Sequence, residues 1–138
     1  LNLFIFFMLL LVLGNNFLVM YIGWEGVGLC SYLLIGFWFK NQAYNNAAKK
    51  AFIMNRIGDL GFLIGMFLLL FYFKTLHFGT LQLALSSVSV SHSVLVMITL
   101  FLFIGAIGKS AQLPLYTWLP LLSEILISTF SAAAMPLW

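Results

Sequence analysis

Long apolar runs alternate with short polar groups along the chain. The runs extend over about 1–13, 17–39, 47–73 and 93–119. At 1.5 Å per residue, a helix over the second run measures about 33 Å and crosses a bilayer core of about 30 Å. A helix also satisfies its own backbone hydrogen bonds, as a segment in lipid must. The pattern therefore predicts an all-α fold, a polytopic transmembrane helix bundle of about four spans in a single domain over 1–138.

Short polar groups mark the ends of the first two predicted spans. Gly14, Asn15 and Asn16 follow the first run and supply turn and capping chemistry. Lys40 and the polar stretch 41–46 end the second run. The third span is therefore predicted to begin near residue 47.

The fourth run contains a helix breaker. Pro114 has no backbone N–H, so the span over 93–119 is predicted to be a discontinuous helix. The connector 74–92 before it is rich in serine, and its apolar segment 81–85 fits a short interfacial helix. His77 and His92 belong to this connector, and we assign neither a function.

Composition supports lipid as the solvent. Of the 138 residues, 64% are hydrophobic and 7% are charged, whereas a soluble domain has about 45–50% apolar and about 25% charged residues. Leu1–Leu13 lacks the basic start and the cleavage site of a signal peptide, and we interpret it as a span or part of one. The chain begins with leucine, as expected of a fragment of a longer chain or of an unusual start.

The arrangement of the charged residues, the single cysteine and the glycines argues against several kinds of binding site. The six basic and three acidic residues are scattered singly, without the basic stripe that nucleic acid requires. Cys30 has no CxxC partner, so a packing role is expected of it. Gly26-Val27-Gly28 lies inside an apolar span and not in a strand-to-helix turn, so it is not a dinucleotide fingerprint.

Lysines are distributed unequally between the predicted loops. Lys40, Lys49 and Lys50 lie between the second and third spans, and Lys74 lies on the opposite side. Loops rich in lysine and arginine stay on the cytoplasmic or matrix side of a membrane. The sequence predicts that orientation for the loop between the second and third spans.

Two charged residues are predicted to lie deep in the membrane. Glu25 is about 12 Å into the second span by helical rise, and Lys109 lies between two long uncharged runs. Intramembrane charges are costly and usually mark ion pathways. The alternatives are that Glu25 is a protonated structural carboxyl bonded to a neighbouring helix, and that Lys109 snorkels to an interface from a helix that stops at Pro114.

Arg56 and Asp59 form a second charged group in the third span. They are three residues apart and share one helix face, so they are expected to pair with each other near the membrane boundary. A solvated surface pair and a role in proton uptake or coupling remain equal alternatives.

Three motifs in order carry a family resemblance. They are Gly23-Trp24-Glu25-Gly26-Val27-Gly28-Leu29-Cys30-Ser31-Tyr32, Asn55-Arg56-Ile57-Gly58-Asp59, and Gly108-Lys109-Ser110-Ala111-Gln112-Leu113-Pro114 with Thr117-Trp118-Leu119-Pro120. Together they resemble the chain-5 family of NADH:ubiquinone oxidoreductase, the antiporter-like proton-pumping membrane subunits of respiratory complex I. The resemblance covers about 17–120. The stretch 121–138 reads differently and is expected to be a divergent tail.

The resemblance implies roles for the charged residues. Glu25 corresponds to the glutamate of the first half-channel, and Lys109 to the central lysine on a discontinuous helix. Arg56 and Asp59 match the charged pair between them, and Pro114 lies at the helix break. In that family the lysine exchanges protons with a water-filled path while the glutamate modulates its charge.

The resemblance also implies partners and a location. Flavin, iron–sulfur clusters and quinone are expected in other subunits, with no cofactor, metal or redox centre in this chain. Other complex I membrane-arm subunits are the expected partners, with membrane lipids and a second chain that carries the remainder of the fold. The mitochondrial inner membrane is the expected location, and a bacterial plasma membrane is the alternative. Two other functions stay open, a subunit of a multi-subunit cation/proton antiporter and a structural membrane piece without transport activity.

Overall fold

A computed structural model describes residues 1–87 and 90–120, and it gives the backbone but not the side chain of Trp38. The predicted tail lies outside the described residues. Five α-helices follow one another: α1 (Asn2–Leu13), α2 (Phe17–Ile35), α3 (Gln42–Phe73), α4 (Phe78–Ser87) and α5 (His92–Lys109). Single turns of 3₁₀-helix occupy Gly36–Trp38 and Tyr116–Trp118. The all-α helix bundle predicted from the apolar runs is confirmed.

Three helices, α2, α3 and α5, are long and apolar enough to cross a membrane. The first predicted span, which corresponds to α1, has 12 residues and measures about 18 Å, which is shorter than a bilayer core. Large apolar side chains remain exposed on all these helices, among them Leu9, Leu33, Phe67 and Phe103. Such a surface is typical of helices that face lipid.

Asparagine caps set where α2 and α3 begin. The Asn16 carboxamide oxygen accepts the N–H of Val19 at 2.7 Å, at the start of α2. The Asn41 oxygen accepts the N–H of Ala43 at 3.0 Å, and α3 accordingly begins at Gln42. The predicted start near Ala47 was therefore wrong, because the polar stretch is the exposed first turn of a helix and not a loop.

The discontinuity in the fourth predicted span precedes the proline. Helix α5 ends at Lys109, and Ser110 caps it by donating its N–H to the carbonyl of Ala106 at 2.9 Å. Ala111 has a φ of +50°, in the left-handed region that cannot continue a right-handed helix. A break was expected, but its position at Pro114 was wrong. Pro114 is exposed in the turn that follows.

Helix α3 lies at the centre of the bundle, with α2 and α5 packed against it and α1 against α2. Helices α3 and α5 approach most closely where two glycines meet. A Cβ built on Gly58 would lie 2.9 Å from the Cα of Gly108, so the two backbones touch there. Small residues permit this kind of packing between membrane helices.

Helix α4 closes one end of the bundle. It is longer than the apolar segment 81–85 that predicted it, and it packs beside the buried group Leu69, Phe73 and Ile98. The N–H of Phe17 donates to the carbonyl of Leu76 at 3.0 Å, which ties the connector to the start of α2. Lys74 lies at this end of α3, whereas Lys40, Lys49 and Lys50 lie at the other end. The unequal distribution of lysines therefore corresponds to the two ends of α3.

Candidate functional site

Lys109 is the last residue of α5, yet it lies level with the middle of α3. Helix α3 has 32 residues and measures about 48 Å, and Gly58 is near its middle. Because Gly108 contacts Gly58, Lys109 is held at the same level. The apolar runs on both sides of Lys109 suggested that it lies in the middle of one membrane-spanning element. Instead, α5 ends at Lys109. Its depth follows from the antiparallel packing of α5 on α3.

The Lys109 ammonium points into the bundle, towards α2. Its Nζ donates to the backbone carbonyl of Trp24 at 3.1 Å and lies 5.6 Å from the centre of the Trp24 ring. A Cβ on Gly28 would lie 2.8 Å from this nitrogen, so the missing side chain of Gly28 leaves room for the ammonium. These contacts speak against a lysine that snorkels to an interface.

Glu25 is paired with Arg56 across the interface of α2 and α3. The Tyr21 hydroxyl donates to Glu25 Oε1 at 2.6 Å from one turn earlier on α2. The Glu25 side chain is 19% exposed and that of Arg56 46% exposed. Glu25 therefore has polar neighbours on two helices, and its carboxyl is bonded to the neighbouring helix α3.

Arg56 and Asp59 do not pair with each other, which corrects the expectation from their spacing. Arg56 binds Glu25, whereas Asp59 is 3% exposed and its Oδ1 accepts the indole N–H of Trp24 at 2.5 Å. The antiparallel α2 places Glu25 and Trp24 beside this part of α3, and each charge takes its partner from there. A hydrogen bond to a charged group contributes about 1.5–3 kcal/mol.

Lys109 has no carboxylate within ion-pair distance among residues 1–87 and 90–120, where the one Lys/Arg–carboxylate pair is Arg56 with Glu25. Asp59 and, more weakly, Glu25 still act on its charge through space, and Arg56 opposes them. Within the part of the chain that the structure describes, Lys109 and Glu25 therefore form no direct ion pair. The site is a cluster of four charges in which the lysine interacts with its acids at longer range.

Three further residues organise this cluster, and sequence reasoning gave them no role. Trp24 contacts both Lys109 and Asp59, and Tyr21 binds Glu25. Trp118 donates its indole N–H to the carbonyl of Gly108 at 3.2 Å. The spacing of Tyr21 and Glu25, four apart on one helix face, was a usable signal. No local signal identifies Trp118, because its contact depends on how the chain reverses after α5.

A cavity of about 360 Å³ adjoins the ammonium between α2 and α3. Its polar lining consists of Ser31, Tyr32, Asn55, Lys109 and Trp118, with Gly28 beside the ammonium. The Asn55 Oδ1 is buried and has no hydrogen-bond partner among residues 1–87 and 90–120. A buried polar atom of this kind is usually satisfied by water, and the volume is sufficient for several water molecules.

Most of this chain is similar in sequence to known proteins. The family model described as "NADH:quinone oxidoreductase/Mrp antiporter, TM" matches residues 14–137. The match thus continues past Pro120, where the recognisable motifs ended.

Individual relatives agree with the family match. NADH-quinone oxidoreductase subunit L of Campylobacter jejuni is 55% identical over 86% of this chain and 20% of its own length. NADH-ubiquinone oxidoreductase chain 5 of Allomyces macrogynus is 50% identical over 87% of this chain and 18% of its own length. The chain therefore spans about a fifth of the length of these relatives. With three helices that can cross a membrane and a match over most of its length, this chain is a multi-pass membrane protein that belongs to the NADH:quinone oxidoreductase/Mrp antiporter transmembrane family.

Proposed function

We propose that this chain is part of a membrane-arm subunit of respiratory complex I and contributes to proton translocation coupled to NADH:ubiquinone electron transfer. The relatives named above are subunits of NADH-quinone and NADH-ubiquinone oxidoreductases. The observation that carries the proposal is the position of the Lys109 ammonium, level with the middle of α3 and turned into the bundle beside a cavity. A lysine in that position can take up and release a proton without contact with lipid.

The side chains around Lys109 suggest how its charge is controlled. The carbonyl and the ring of Trp24 stabilise the ammonium, and a cation over an aromatic ring is worth about 0.5–2 kcal/mol. The free amine is stabilised by burial, because desolvation disfavours the charged form. Asp59 and Glu25 favour the ammonium through space. A change in either acid, or in the Arg56 that neutralises Glu25, alters this balance and transfers a proton to or from Nζ.

Within this proposal the remaining parts of the machinery lie elsewhere. Redox chemistry belongs to partner subunits that hold flavin, iron–sulfur clusters and quinone, and this chain contributes no redox centre. Other membrane-arm subunits are its neighbours, and the remainder of the subunit's fold is supplied by further polypeptide, in the same chain or in a second one. The mitochondrial inner membrane is the proposed location, because the relatives include NADH-ubiquinone oxidoreductase chain 5 of several eukaryotes. A bacterial plasma membrane is the alternative, supported by the subunit L relatives.

A cation/proton antiporter subunit is the second candidate function. The description of the matching family names the Mrp antiporter together with the oxidoreductase, and an intramembrane lysine beside a cavity serves either. Copurification with flavin and iron–sulfur subunits supports the oxidoreductase. Isolation in a complex without them supports the antiporter.

The test of the proposal is the substitution Lys109→Met in the complex that contains this chain, reconstituted in vesicles and driven by NADH. Methionine preserves length and removes the proton-binding nitrogen, so the number of protons translocated per electron should fall while the complex remains assembled. Lys50→Met is the matched control, because Lys50 is exposed at one end of α3 and its loss should leave the ratio unchanged. An unchanged ratio in Lys109→Met rejects the proposal and favours a structural membrane piece.

A further inference from the structure

Trp24 contacts two oppositely charged groups at once. Its backbone carbonyl accepts the Lys109 ammonium at 3.1 Å, and its indole N–H donates to Asp59 Oδ1 at 2.5 Å. Its ring also lies beneath the ammonium, 5.6 Å from Nζ. One residue of α2 therefore holds a cation from α5 and an anion from α3.

The packing of α3 on α5 brings these two charged residues to the same helix crossing. Gly58 and Gly108 touch at the crossing of α3 and α5, and Asp59 and Lys109 each follow one of these glycines. Both lie on the side of the crossing that faces α2, since both contact Trp24. Of the two described carboxylates that act on Lys109 through space, Asp59 has the larger effect and Glu25 the smaller. Asp59 is also buried, so water competes weakly for its oxygens.

We propose that Trp24 is a positioning residue that keeps the ammonium of Lys109 and the carboxylate of Asp59 from closing into a direct ion pair. The indole N–H occupies the carboxylate, and the backbone carbonyl and ring occupy the ammonium. The lysine thereby remains at the cavity, where it can exchange its proton, and is not locked onto the acid. This inference rests on the proposed function, because it assigns Trp24 an effect on the same proton-exchanging lysine.

Other charged or titratable groups face the same lysine and have to be taken into account. Glu25 and Arg56 act on it through space, and Tyr21 is bonded to Glu25. Tyr32 lines the cavity beside it. Among the described residues Trp24 donates to Asp59 Oδ1, and none of these four side chains does. The substitutions below leave all four of them in place.

The test uses Trp24→Phe in the reconstituted complex. Phenylalanine keeps a ring to stack on Phe62, whose ring centre is 5.3 Å from that of Trp24, and removes the N–H. Asp59 then becomes free to pair with Lys109, and an ammonium with a direct carboxylate partner holds its proton to higher pH. The pH at which the ratio of protons to electrons is half-maximal should rise by about one unit.

Two comparisons separate this effect from loss of packing. Phe62→Leu removes the stacked ring but no polar contact, and it should leave the midpoint in place. In the Asp59→Asn background there is no carboxylate to pair, so adding Trp24→Phe should not move the midpoint further. Such non-additivity is the signature of two residues acting through one contact.

Several results would overturn the inference. The inference is overturned if Trp24→Phe leaves the midpoint pH unchanged. It is also overturned if Trp24→Phe shifts the midpoint pH equally in the original protein and in the Asp59→Asn background. If Trp24→Phe prevents assembly, Trp24→His replaces it, because histidine keeps a ring and an N–H donor. An assembled complex with the original midpoint then supports the inference, and a shifted one contradicts it. If Lys109→Met loses pumping but Trp24→Phe leaves the midpoint pH unchanged, only this inference is rejected. If Lys109→Met leaves the ratio of protons to electrons unchanged, the proposed function itself is rejected.

Discussion

Gly28 and Lys109 belong to different helices and share one small space, since a Cβ on Gly28 would lie 2.8 Å from the lysine Nζ. The glycine is one turn after Trp24 on α2 and borders the cavity. The position of the ammonium therefore depends on the absence of a side chain at residue 28.

Gly28→Ala should lower proton translocation more than stability. The added methyl group meets only the end of a flexible side chain, so the protein can respond by displacing the ammonium. We expect the complex to assemble at its normal level and the ratio of protons to electrons to fall. Gly36→Ala, in the turn directly after α2, is the control, because its Cβ would lie 3.7 Å from Ala48, an ordinary contact. Equal effects of the two substitutions would contradict the role of Gly28.

Gly58→Ala should reduce stability, in contrast to Gly28→Ala. The added Cβ would meet the backbone of Gly108 at 2.9 Å, and backbone cannot move aside as a side chain can. Overpacking of this kind costs about 1–3 kcal/mol. A thermal unfolding scan of the chain in detergent should show a lowered Tm. Gly79→Ala, which would meet nothing within 4 Å, should leave Tm unchanged.

The ion pair of Glu25 and Arg56 should contribute little to stability. Because the Arg56 side chain is 46% exposed, solvent screens the attraction, and pairs of this kind are worth about 0–1 kcal/mol. A double-mutant cycle with Glu25→Gln and Arg56→Gln, followed by denaturant unfolding, should give a coupling energy in that range. A coupling energy of several kcal/mol would contradict this prediction and show that the ion pair contributes substantially to the stability of the bundle.

Trp118→Phe should loosen the turn that follows α5. The substitution removes the N–H that donates to the Gly108 carbonyl, and a lost hydrogen bond of this type costs about 1 kcal/mol. Hydrogen exchange of the amides in 110–119 should become faster. Tyr116→Phe is the matched control in the same 3₁₀ turn, because the Tyr116 side chain is exposed. If both variants exchange equally, the indole contact does not hold the turn.

The sequence predicted the depth of the charges better than their partners. The apolar residues on each side place Glu25 and Lys109 in helices of the bundle, although the level of Lys109 depends on how Gly108 packs against Gly58. The partner of a charged residue depends on which helices pack together. The antiparallel contact of α2 with α3 pairs Arg56 with Glu25. The pairing of Arg56 with Asp59, inferred from spacing on one helix, therefore failed.

Helix ends were predicted less well than spans for a related reason. Polar residues at 41–46 have the composition of a loop, but Asn41 caps a helix that continues through them. Pro114 looked like the helix break, but the chain had already left the helix at Ser110. Capping and backbone conformation, which composition does not specify, decided both cases.

The end of α5 at Lys109 has one more physical consequence. The aligned peptide groups of a helix place about half a negative charge at its C-terminus, and Lys109 is in the last turn. The ammonium therefore lies in an attractive field from its own backbone, one that no titration can remove. Even if both carboxylates of the cluster were neutralised, this dipole would still attract the cation at the centre of the bundle.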